Sequence, residues 1–96
     1  MTVDAFRQSL ATASPPDSLS PALEALWWVG KSDWERAHLC VQDRPDADSA
    51  WVHAHLHRQE GDAGNAAYWY DRAGRPIASG DLDAEWGAIV AALSPS

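Results

Sequence analysis

Two dipeptides 29 residues apart, Ser32-Asp33 and Gly61-Asp62, constrain this chain more than any other feature, because each stands between two helical patterns. Gly61 suits the left-handed residue that ends a helix, and Asp62 can cap the next one by accepting hydrogen bonds from its first amides. Ser32-Asp33-Trp34-Glu35 also has the spacing of a capping box, in which Ser32 and Glu35 would satisfy the first amides of a helix starting at Ser32. Under the same shift Ala37 falls on Ala66, Cys40 on Trp69 and Val41 on Tyr70. Small residues at 37 and 66 let two helices approach closely, and the larger residues three and four positions on fill the space between hairpins. The spacing predicts two helical hairpins, over about 22–44 and 50–74.

Helices flank this pair. Val3, Phe6 and Leu10 recur at helical spacing over 3–12, and Ser14-Pro15-Pro16 stops that helix. Ser20-Pro21 opens the next, with Leu23, Leu26, Trp27 and Val29 before Gly30. A helix over about 50–60 follows the loop 43–48, with Asp48 or Ser49 as its cap, and ends at Gly61. Another runs from Asp62 to about Ala73. The last covers 83–93, where Leu82, Trp86, Ile89 and Leu93 form a stripe and Asp81, Asp83 and Glu85 favour its positive end. No stretch alternates long enough for a strand. The fold class is all-α, one helical domain over 1–96, and six tryptophans can give so short a chain an adequate core.

Fourteen acidic residues against seven basic ones give a net charge of −7, which opposes nucleic-acid backbones and anionic membrane surfaces. No apolar run approaches the roughly 20 residues that span a bilayer. Cys40 is the single cysteine, so no intrachain disulfide or cysteine zinc framework forms, and it reads as an inert core thiol. The start, MTVDAFRQSL, has neither a basic nor an apolar leader region, and a cytoplasmic location is expected.

Glu60-Gly61-Asp62, Ala66, Tyr70 and Ala73 resemble the turn and second helix of the tetratricopeptide-like superfamily, over about residues 22–76. The resemblance implies a stack of antiparallel hairpins that binds peptides or protein segments, with the terminal helices as caps and the 50–60 helix lining the groove. The 50–76 segment is also similar to a group of small bacterial proteins, a similarity that supplies no activity.

The 50–76 segment also concentrates polar chemistry, with three of the four histidines and both tyrosines. On a helix His53 and His57 share a face, at i and i+4, while His55 points roughly 200° away. One helix thus offers at most two co-facial nitrogens. No bound metal is expected on that count, since zinc would need further ligands such as His38, Glu60 or Asp62. The expectation is that one histidine packs with its polar tip bonded and the others are solvated. Tyr70, Ala66 and Ala73 should face the core, and Tyr68 and Arg72 should pair on another side. Trp27 and Trp28 cannot share one narrow stripe, so one should lie beneath the N-terminal helix or contact a partner, a homodimer included.

These residues suggest a non-enzymatic interaction module with no cofactor and no catalytic residue. His53, His57, Arg58, Tyr68 and Arg72 would face a protein or peptide partner carrying an acidic group. The alternative is a small-ligand- or metal-binding protein, with enzymatic activity within its scope, using His53, His57, Tyr68 and Arg72.

Overall fold

A computed structural model describes residues 1–94, which form six helices and no strand among the described residues. They are α1 (Val3–Ser9), α2 (Pro21–Gly30), α3 (Trp34–Val41), α4 (Ala47–Gln59), α5 (Ala63–Ala73) and α6 (Leu82–Leu93). The all-α class follows. No described helix is long and apolar enough to cross a membrane.

α2 with α3 and α4 with α5 form the two hairpins, and their joints have one geometry. Ser32 (φ 62°) and Gly61 (φ 84°) are both left-handed. The amides of Asp33 and Asp62 then donate to the carbonyls of Trp28 and His57, both at 2.9 Å. Asp33 and Asp62 next cap α3 and α5, accepting from the amides of Arg36 and Asn65. Ser32 is therefore the bend and not the cap, which corrects the capping-box reading. α4 also starts earlier than its apolar pattern suggests, because Asp46, and neither Asp48 nor Ser49, accepts from the Ser49 amide at 2.9 Å.

Phe6, Leu23, Leu26, Trp27, Val41, Val52, Leu56, Trp86, Ile89 and Val90 form the main core, so every helix except α5 contributes to it. Trp27 is the member of the Trp pair that meets α1, its Nε1 donating to Ser9 Oγ at 3.1 Å. Trp28 is partly buried and carries the Arg36 guanidinium 4.7 Å over its ring. α6 is pinned by Trp86, whose Nε1 donates to the Leu26 carbonyl at 2.8 Å. α5 packs on α4 through a smaller cluster of Ala54, Ala66 and Tyr70.

Ala66 and Tyr70 are thus core residues, at 2 % and 0 % exposure. Ala66→Leu should overpack the α4–α5 crossing by about 1–3 kcal/mol. A urea midpoint equal to that of the parent would refute that crossing.

Candidate metal centre

α4 runs through the middle of the fold and is buried almost all round, so its polar residues are inside with its apolar ones. His53, His55 and His57 are 4 %, 1 % and 7 % exposed. This overturns the expectation of solvated histidines and of an outward polar face on α4. No narrow apolar stripe separates the two kinds of residue, so the sequence offered little to predict their burial.

His55 and Arg58 belong to one side of α4. His55 Nδ1 lies 2.7 Å from Glu85 Oε1, and Arg58 donates to the same oxygen at 2.9 Å. Tyr70 donates its hydroxyl to the other Glu85 oxygen, and Arg58 also donates to the Gly80 carbonyl. Burial alone would push the Glu85 carboxyl up, but the hydrogen bonds from His55, Tyr70 and Arg58 outweigh it and hold the carboxyl below its ordinary value. Burial, with the Glu85 carboxylate beside it, pushes the Tyr70 hydroxyl up. Arg58 is therefore an internal anchor between α4, the loop before α6 and α6 itself, and is not available to a partner's carboxylate.

His53 and His57 occupy the other side, stacked with ring centroids 4.8 Å apart, as their i, i+4 spacing requires. α3 supplies the third imidazole. Trp34 docks α3 by donating Nε1 to the Leu56 carbonyl at 2.9 Å, and stacks on His38 one turn along at 4.8 Å. His38 Nε2 then meets His53 Nε2 at 3.0 Å. One ring nitrogen from each of His38, His53 and His57 lies within 4.8 Å of the other two. α4 alone gives two co-facial nitrogens, and the packing of α3 gives the third.

The surroundings fix these rings. Trp69 of α5 stacks on His53 at 3.9 Å and 12°. Glu60 binds Nδ1 of His57 at 2.5 Å, and a carboxylate oxygen accepts there from the ring nitrogen. A carboxylate in that position is the usual orienting partner of a metal-bound imidazole. Nδ1 of His53 is buried with no partner among the described residues, a costly state for a polar atom.

Tyr68 and Arg72 pair as expected, Arg72 donating to the Tyr68 hydroxyl at 3.3 Å with Tyr68 55 % exposed. They reach the histidines through Trp69, which both touch. Of the five residues proposed from sequence as one surface, the structure groups His53 with His57, separates Arg58 from them, and leaves Tyr68 and Arg72 one layer out. Trp34 and Glu60 hold the cluster together. The i, i+4 spacing of Trp34 and His38 was the available signal for the first, and the i, i+3 spacing of His57 and Glu60 for the second.

Compared with known proteins, the chain matches no family model, no curated protein and no solved structure.

Burial, then repulsion from His38 and His57, drives the His53 pKa down to about 4 from an ordinary 6.5. His38 is lowered by burial and by His57, against partial offsets from Glu60 and Gln42. Between those values the unfolded chain binds more protons than the fold. Metal-free protein should therefore be fully stable above about pH 6.5 and lose stability as pH falls toward 4. The Glu85 contribution is lost only below its ordinary 4.5, outside most of this window. Urea midpoints at about pH 7.5 and about pH 5 should differ in the parent and differ less in His53→Gln. Equal slopes would refute a buried, neutral His53.

Proposed function

We propose that this protein is a metal-binding helical protein whose ligands are His38, His53 and His57. The observation that carries this reading is the convergence of three imidazole nitrogens, from two helices, within 4.8 Å of one another. Tetrahedral zinc with Zn–N bonds of about 2.0–2.1 Å holds its nitrogens roughly 3.3 Å apart, so a small closure of this cluster would seat the ion. The His38–His53 contact supports the same reading. Two imidazoles facing each other at 3.0 Å share one proton between two lone pairs, and a cation would take that proton's place. An all-imidazole set suits zinc, copper, nickel or cobalt, and is wrong for magnesium and calcium, which take oxygen ligands.

The test is calorimetric titration of tag-free, metal-stripped protein with Zn²⁺. One equivalent should bind, and free metal at 100 times the dissociation constant should stabilise the fold by about 2.7 kcal/mol. His38→Asn, at the partly buried ligand, should abolish tight binding while keeping the helical circular dichroism. Absence of binding in the parent, or equal binding in His38→Asn, would refute the assignment.

Docking of a protein or peptide segment is a second reading, supported by the exposed Tyr68–Arg72 pair and by the resemblance of the hairpins to tetratricopeptide-like units. On this reading the docking surface is α5, and Arg58 takes no part. A partner recovered by the parent and lost by Arg72→Ala, but retained by Arg36→Ala, would support it. Recovery unaffected by Arg72→Ala would exclude that surface.

A further inference from the structure

We infer that the three-histidine centre is an open one, holding its metal with three protein nitrogens and an exchangeable fourth ligand taken from solvent, either water or a small anion. This inference rests on the metal-binding reading above and concerns the chemistry of the same site.

A tetrahedral ion needs four ligands, and sites closed by four protein groups are structural, whereas three groups leave a position for water or substrate. Among the described residues no cysteine, carboxylate or fourth histidine joins the set formed by His38, His53 and His57. Glu60 is close to His57 but is engaged at its Nδ1, and it groups with Asp62 and not with His38 or His53. Asp62 is committed as the cap of α5. Cys40 lies on the same short helix as His38, yet its thiol turns away from the cluster and donates to Glu24 at 3.5 Å.

The burial of the three ligands fixes where solvent enters. His53 and His57 are buried, and His38 is the one ligand that reaches the surface. The stacked faces of Trp34 and Trp69 close the cluster beside His38 and His53. A fourth ligand therefore enters along His38, past the Trp34 ring and beside Gln42, which hydrogen-bonds His38, and the cation itself holds it. An ion bound by three neutral imidazoles keeps its full double positive charge, so an anion is the favoured occupant. The exposed side of this centre is thus an anion-binding site on a protein of net negative charge.

Cobalt distinguishes failure of this inference from failure of the metal site itself. Tag-free full-length protein is loaded with one equivalent of Co²⁺, whose visible spectrum reports coordination, and titrated with azide. The expected result is a spectrum that shifts in a saturable way with one azide per cobalt, and that is absent from His38→Asn. A cobalt spectrum indifferent to azide would show a site closed by a fourth protein ligand, overturning the open-centre inference while the metal reading stands. Failure of Co²⁺ and Zn²⁺ alike to bind would overturn both. An azide response undiminished in His38→Asn would place the cobalt elsewhere and also overturn the inference.

Discussion

The whole arrangement depends on a polar helix being placed at the centre of a small fold. α4 buries Ser49 and three histidines beside Ala50, Val52, Ala54 and Leu56. Each buried polar group must be matched or it weakens a domain whose margin is only about 5–15 kcal/mol. The surrounding helices meet most of that demand, leaving Ser49 Oγ and His53 Nδ1 without a partner among the described residues. α6 brings Glu85 to His55, α5 brings Tyr70 to Glu85 and Trp69 to His53, and α3 brings His38 to His53.

This division gives α4 two chemically different sides. The Glu85 side is closed, because carboxylate, imidazole, guanidinium and phenol satisfy one another. The His38 side is left with an unpartnered buried nitrogen and a single proton's worth of hydrogen bonding between two rings. Apolar packing alone would let such a helix rotate or slide. The paired polar contacts fix its register, since a small rotation would move His55 off Glu85 and His53 off His38 together.

Local features of the chain were readable in advance, and those that depend on contacts far apart in sequence were not. The two joints, the core placement of Ala66 and Tyr70, and the pairing of Tyr68 with Arg72 all follow from spacing within one turn or one hairpin. Glu85 carried a plausible local role at the start of α6, and nothing nearby shows that it turns inward to residues 15, 27 and 30 positions away. The burial of the histidines was hidden for a related reason. A helix enclosed on all sides has no polar face to give it away, and its histidines resemble surface residues until their partners are known. His38 stood among the ligands considered, but only the docking of α3 through Trp34 brings it into range.

Ser32 and Gly61 make the same bend at different energetic expense. A left-handed conformation is nearly free for glycine and costs a serine roughly 1–2 kcal/mol. That strain sits in the joint that swings α3 onto α4, and it relaxes if α3 detaches. α3 is also the shorter member of its hairpin, held to α4 by the Trp34 indole and the His38 ring. Local opening of α3 is therefore cheaper than opening of α5, and its amides should exchange with solvent sooner. The ligand set is divided accordingly, two imidazoles on a rigid shaft and one on a spring-loaded arm, so assembly of the site and docking of the arm are a single equilibrium.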